Sequence, residues 1–373
     1  MKKSLALLLI VALAIGMMAG CSSENDSETE TTESTDSGTR TITDGVGRTV
    51  EIPTNVERIV TLGNGARLIT YLGLADKVVG YGGMDPSSVT PVTAYAYVNR
   101  DLWADVSRVG TDAGGATDYY PEEIIAVQPD VILTTYDSAL ADEIQTKTGV
   151  PTVSVAMGTL FEEDYEQSLR VLADACGVPE RAEEVITYIN TSLDDLATRT
   201  ADIPDEDKPT VMTAAVSFKG RHGIEGVGVN SAIFRAIAAN DVSRGIAERS
   251  GGMEVDREQI LVWDPQIIFL DSGGMQLVRQ DYAENPDFYA LLQAFQTGNV
   301  YQTPSATSYY SNLEIPLANA YHIASILYPE QFQDIDVYEK TNEIFKFFLG
   351  VDGFVDVLND AGLGYQPLDF EAE

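Results

Sequence analysis

Glu122-Glu123-Ile124-Ile125-Ala126-Val127-Gln128-Pro129-Asp130-Val131-Ile132 recurs downstream as Glu258-Gln259-Ile260-Leu261-Val262-Trp263-Asp264-Pro265-Gln266-Ile267-Ile268, with Glu, Ile, Pro and Ile at the same offsets. Each copy reads as a short helix stopped by proline, which pushes the preceding residue out of helical space and launches an apolar strand. Around the first copy the pattern predicts strand 58–62, the turn Gly63-Asn64-Gly65, helix 66–74, strand 77–80, helix 121–127, strand 130–135, helix 139–148 and strand 152–155. Residues 41–44 and 48–53, either side of Gly45-Val46-Gly47, read as a hairpin in front of this unit. Around the second copy the rhythm restarts: strand 210–216, helix 231–239, strand 266–270, helix 286–294, strand 300–301, then helices 313–327 and 337–348. Between them lies a helical stretch, 161–199, broken at Gly177-Val178-Pro179; its second half sets Ala182, Val185, Ile186, Ile189 and Leu193 at helical spacing. A polar, proline-bounded linker, 203–209, closes it. The expected fold is therefore α/β: two Rossmann-like lobes joined by a single long helix, with a ligand cleft between them.

The ends of the chain address location. Met1-Lys2-Lys3, an apolar run over 5–16 and Met18-Ala19-Gly20-Cys21 make a secretory leader, too short for a bilayer span. Its small pair before cysteine resembles the lipobox of bacterial lipoproteins, which implies lipidation at Cys21 and an extracytoplasmic protein anchored to the cell membrane; Met18 stands where leucine is commoner. The expected organisation is a leader at 1–20, a disordered acidic tether at 21–40, a first lobe at 41–160, a helical segment at 161–200 and a second lobe with terminal helices at 201–373. The tether is dominated by Ser, Thr, Glu and Asp, too polar to fold by burial. A formal net charge of −35 argues against nucleic acid and against lying on anionic lipid. With Cys21 lipidated, Cys176 has no intramolecular partner and reads as a small core residue. Two histidines, His222 and His322, are too few for a dedicated metal cage, so no direct metal ligands and no resident cofactor are expected.

Thr43-Asp44, Gly47-Arg48, Val50, Pro53 and Arg58-Ile59-Val60, together with the paired helix-proline-strand segments, resemble the class III solute-binding proteins of ABC importers. That family takes up iron-siderophores, haem and cobalamin. The resemblance implies two lobes joined by one rigid helix, here 180–199, and partners in an ABC permease dimer with its ATPase. It also implies a docking glutamate on each lobe. The matching positions are Glu122, which Glu123 could replace, and Glu258. Carboxylates facing arginines would fix orientation through charge-assisted contacts. The bland alternative is acids favoured at helix starts by the dipole.

Ligands of doubly wound sheets bind outside the carboxyl ends of the strands. Candidates on those loops are Arg67, Tyr136, Lys219, Arg221, His222, Tyr309 and Tyr310, and the segment 95–103 adds Tyr95, Tyr97 and Arg100 at the expected rim. The cations suit an anionic ligand and the tyrosines a flat or chelated organic one. The expected cargo is a metal chelate of ferric-siderophore, haem or corrinoid type. A molybdate or tungstate oxoanion is the alternative, because 327–336 looks like a subgroup that includes binders of those ions. A surface-anchored α/β enzyme is the reading from another class. Against it, no HExxH, GxSxG or P-loop occurs, so no enzymatic activity is expected.

Overall fold

A computed structural model describes residues 38–113, 116–308 and 310–371. The expected lipidation at Cys21, most of the tether and the expected contact from Tyr309 lie outside them. The hairpin forms as β1 (Thr39–Thr43) and β2 (Thr49–Pro53), antiparallel, with Ile42 opposite Val50. The first lobe follows: β3 (Ile59–Thr61), α1 (Gly65–Tyr71), β4 (Val78–Gly83), α2 (Ala94–Val98), β5 (Ser107–Ala113), β6 (Ala116–Tyr119), α3 (Pro121–Ala126), β7 (Val131–Thr134), α4 (Ser138–Thr148) and β8 (Thr152–Ser154). Its sheet runs β6-β5-β4-β3-β7-β8, parallel except for β6. The second lobe comprises β9 (Thr210–Ala214), β10 (Gly226–Val229), β11 (Asn240–Asp241), β12 (Gly251–Glu254), β13 (Ile267–Asp271), β14 (Val300–Thr303) and β15 (Gln366–Pro367). Five of these form the order β11-β9-β13-β14-β15, with only β15 antiparallel, while β10 and β12 pair apart.

The repeat builds the centre of each lobe. Pro129 and Pro265 release the chain into β7 and β13, whose every residue is buried, as expected for parallel strands covered on both faces. Strand order reverses between β3 and β7 in one lobe and between β9 and β13 in the other, so each lobe has its crevice beside the repeat strand.

Two helices lie between the lobes in the chain, and the second carries the contacts that join them. α5 (Glu163–Cys176) stops at Gly177, whose φ of 73° needs no Cβ. α6 (Pro179–Thr200) starts on Pro179 and buries Ala182, Val185, Ile186, Ile189 and Leu196 along one stripe. Arg181 ties the start of α6 to the carbonyls of Tyr71, at 3.1 Å, and Phe347, at 2.8 Å. Further along, Asp195 accepts from Tyr321 at 2.9 Å on the second lobe's long helix. Cys176 is buried, and burial pushes its thiol up to about 12, so it stays a packed, protonated side chain.

The second lobe adds α7 (Ala232–Ala236), α8 (Arg257–Trp263), α9 (Met275–Glu284), α10 (Pro286–Tyr289), α11 (Gln293–Gln296), α12 (Glu314–Leu327), α13 (Val337–Leu349) and α14 (Phe354–Asp360). The helix expected at 286–294 is two helices. Asp264 accepts from the amide of Gln293 at 2.8 Å, and Leu292 is extended between the pieces. The terminal helices pack back on the first lobe: Phe348 meets Tyr71 edge-on at 5.3 Å, and Phe354 meets Tyr97 at 6.2 Å.

Candidate functional site

The first lobe's crevice opens where β3 turns into α1. Gly63 has φ +59°, and a Cβ there would lie 2.7 Å from Thr135 Oγ1 and 3.0 Å from the Tyr136 ring, so the turn admits only glycine. Arg67 follows on the first turn of α1 and is fully buried. It donates to Asn64 Oδ1 at 2.5 Å and to the Ser308 carbonyl at 2.9 Å, and its guanidinium lies 4.7 Å from the Tyr95 ring centroid. Ser308 belongs to the loop after β14, so a cation of one lobe is roofed by the other. Thr93 Oγ1 meets Ser308 Oγ at 2.7 Å, and Asn312 donates to the Val92 carbonyl at 3.0 Å, fastening the same loop. Tyr95 is buried against Trp103, and burial followed by the nearby Tyr81 hydroxyl raises its pKa well above the usual tyrosine value.

The segment expected at the rim packs elsewhere. Arg100 is exposed and lies 4.2 Å over the Tyr97 ring, whose edge abuts Phe354 of α14. Tyr136 is half-buried, its carbonyl accepting from Ser154 at 2.5 Å. Tyr310 is half-buried with φ +69° and is an electrostatic neighbour of Tyr95. In the loop after β9, His222 stacks on Phe218 at 3.9 Å, with Nε2 2.9 Å from the Phe218 carbonyl, while Lys219 and Arg221 are exposed.

A cavity of about 760 Å³ lies over the carboxyl ends of β9, β13 and β14. Its polar lining is Thr213, Ser217, Asn230, Ser231, Ser250, Asp271, Thr303, Thr307, Ser311 and Asn319, with Thr159 and Glu162 from the stretch ahead of α5. Arg235, Glu248 and Arg249 add charge; Arg235 donates to the Asn230 carbonyl at 2.6 Å and pairs with Glu162 at 3.4 Å. Among the described lining residues none is aromatic. Asp271 ends β13 at 3% exposure, and burial pushes its carboxyl up to about 6 against hydrogen bonds from Ser305 and the amides of Gly273 and Ala306.

Arg67, Tyr95, Tyr97, Arg100, Tyr136, Lys219, Arg221, His222 and Tyr310 do not line this cavity. The loops carrying several of them do, through Val216, Ser217, Ala306, Thr307 and Ser311. Asp271, Arg235 and Arg249 were not singled out from the sequence. The signal for Asp271 was available, as the one charge closing the apolar run Ile267-Ile268-Phe269-Leu270.

Glu122 and Glu258 occupy matching places. Both are exposed in the first turn of α3 and α8, above Ile124 and Ile260, which are fully buried. Beside Glu258, Arg257 is held by Glu225 at 2.5 Å and Asp281 at 2.8 Å.

Residues 59–307, from the first strand of the sheet to the loop that roofs Arg67, match the family model described as periplasmic binding protein. The chain belongs to that family. As a member it is a solute-binding protein of ABC transporters. Among curated proteins it is similar to the molybdate-binding protein MolA of Haemophilus influenzae, 24% identical over 83% of this chain and 90% of the relative. It is also similar to the Fe(3+)-citrate-binding protein YfmC of Bacillus subtilis, 22% identical over 82% and 90%. Among solved structures, a periplasmic solute-binding protein of Veillonella parvula has the same fold, with TM-score 0.65 and 20% identity, covering 87% of this chain and 98% of that one. Molybdate-bound MolA superposes with TM-score 0.64 and 20% identity, covering 84% and 98%.

Proposed function

We propose that the cavity takes an anionic, hydrophilic metal chelate of ferric-siderophore or ferric-hydroxycarboxylate type. The protein, anchored through a lipid on Cys21, presents this cargo to an ABC permease dimer. The observation that carries the reading is the lining itself: hydroxyls and amides, two guanidinium groups, and no aromatic face among the described residues. In a chain of formal net charge −35 the bulk field repels anions, so Arg235 and Arg249 are the local groups that favour one. Haem and corrinoids, which stack on aromatic rings, suit this lining less well. Glu122 and Glu258, exposed at matching positions of the two lobes, are the docking carboxylates in this reading.

Titration of the purified protein with ferric citrate, by calorimetry, tests the class. Arg235→Ala and Arg249→Ala each remove a charge-assisted contact and should weaken binding about ten- to a hundredfold. Unchanged affinity in both variants would remove the anionic-ligand reading. The molybdate alternative rests on the likeness to MolA in both sequence and fold, and molybdate titrated beside the chelate decides between the two.

A further inference from the structure

Outside the cargo cavity, a second hollow of about 660 Å³ sits at the edge of the second sheet, where β9 begins and α7 leads into β11. Its charged lining is Lys208, Arg235 and Arg244 against a single acid, Asp205, in a chain with 23 basic and 58 acidic residues. Glu206 and Asp207, next along the turn, do not line it. The local balance therefore inverts that of the molecule.

These cations are only partly answered. The Lys208 side chain is 10% exposed, yet its ammonium has one acceptor among the described residues, Asp205 at 2.9 Å, whose own side chain is 96% exposed. An ammonium carries three donors, and taking it out of water without acceptors for them is costly. Arg244 donates to the Ala239 carbonyl at 2.5 Å and has no ion pair among the described residues. Both cations act on the same carboxylate: the hydrogen bond from Lys208, then its charge and that of Arg244, hold Asp205 below the usual range. Arg235 donates to the Asn230 carbonyl at 2.6 Å and to its Oδ1 at 3.1 Å through one nitrogen, and pairs with Glu162 at 3.4 Å through another. Asn230 and Arg235 line both spaces and stand between them, whereas Lys208 and Arg244 belong to the outer one alone.

We propose that this outer pocket binds a free dianionic oxoanion of phosphate type, held by Lys208 and Arg244, at a site separate from the cargo cavity. Two guanidinium groups and an ammonium around one space supply more N–H donors than a single planar carboxylate can accept, and suit an anion with oxygens on every side. An ion pair as exposed as that of Asp205 is worth little in water, so a doubly charged anion displaces it at small cost and gives Lys208 the acceptors it lacks. Oxoanion binding and cargo recognition are then separable properties of one chain.

The test is calorimetric titration of the full protein with sodium phosphate at pH 7.5 and low ionic strength, for wild type, Lys208→Ala, Arg244→Ala and Arg249→Ala. Arg249 borders the cargo cavity alone. Wild type should bind one phosphate with a Kd of roughly millimolar or tighter, and Lys208→Ala and Arg244→Ala should each weaken it about tenfold. Arg249→Ala should leave phosphate binding unchanged, and the two outer variants should bind ferric citrate as wild type does. Arg244 is exposed, so its variant carries the test if Lys208→Ala does not fold. A soluble short-chain phosphatidylglycerol, a singly charged diester, should bind about tenfold more weakly than phosphate; tighter binding would assign the pocket to a lipid headgroup and overturn the free oxoanion. No phosphate binding by wild type removes the site. Phosphate weakened by Arg249→Ala and not by the outer variants places the anion in the cargo cavity and overturns the proposal, as does ferric citrate weakened together with phosphate. The cargo reading stands or falls separately, on the ferric citrate titration of wild type.

Discussion

Replacing His322 with glutamine should make the protein more tolerant of acid. His322 lies on α12 with its ring 4.1 Å from the ring of Tyr365, and burial lowers its pKa from 6.5 to about 4. The native state therefore keeps the imidazole neutral where the unfolded chain takes up a proton. Stability rises with pH wherever the unfolded state binds more protons, so this contribution is intact above pH 6.5 and is lost as pH falls toward 4. At 1.36 kcal/mol per unit, the loss between pH 7.5 and 4.5 is about 2–3 kcal/mol, a large part of a domain's margin. Asp271 works in the opposite direction: its raised pKa means that the native state gains the proton first, which stabilises the fold as pH falls through 6. The wild-type profile mixes both, so the informative quantity is the difference between wild type and His322→Gln. Urea unfolding at half-unit pH steps should show the two curves parallel above pH 7 and separated by about 2–3 kcal/mol at pH 4.5, with the variant losing less. Curves that stay parallel across the range would refute the argument and place the imidazole in contact with water.

Reversing both docking candidates, Glu122→Arg and Glu258→Arg, should leave ligand affinity intact, since both are exposed and neither lines the cavity, while uptake in cells collapses; lost binding in the folded variant would refute the docking role. Cys21→Ala should move the protein out of the detergent phase on fractionation, and identical partitioning of variant and wild type would end the anchoring proposal. Phe269→Ala, in the fully buried centre of β13 and 5.7 Å from the Tyr301 ring, should cost about 3–5 kcal/mol of stability by chemical denaturation; a loss below about 1 kcal/mol would mean that this core repacks.

The fold was legible because its decisive signals are local. Pro129 and Pro265 sit just before strands that are apolar throughout, Gly177 closes one helix and Pro179 opens the next, and each acts over a few residues. The cavity is built differently. Ser217, Asp271 and Thr303 meet on its wall only because three distant strands end side by side, and no spacing along the chain announces that. Residue type misleads at Tyr95 and Arg100 for the same reason. Their aromatic and cationic character suits a rim, but Trp103 and the distant Phe354 provide an apolar bed for the rings of this segment. Arg67 was legible as a strand-end cation, whereas the loop that covers it arrives from the far end of the chain.

That covering loop has a consequence for motion. Ala306, Thr307 and Ser311 of that loop border the cavity, while Ser308 and Asn312 are fastened to the first lobe through Arg67, Thr93 and the Val92 carbonyl. If the lobes part along this seam, a guanidinium that now sees only protein becomes hydrated and three hydrogen bonds are exchanged for bonds to water. Such exchanges are nearly balanced in free energy but slow to complete together, because water must enter before the last bond can leave. Release of cargo then acquires a clock set by wetting rather than by the strength of the grip on the ligand, and a permease that pries the lobes apart would act first on that clock.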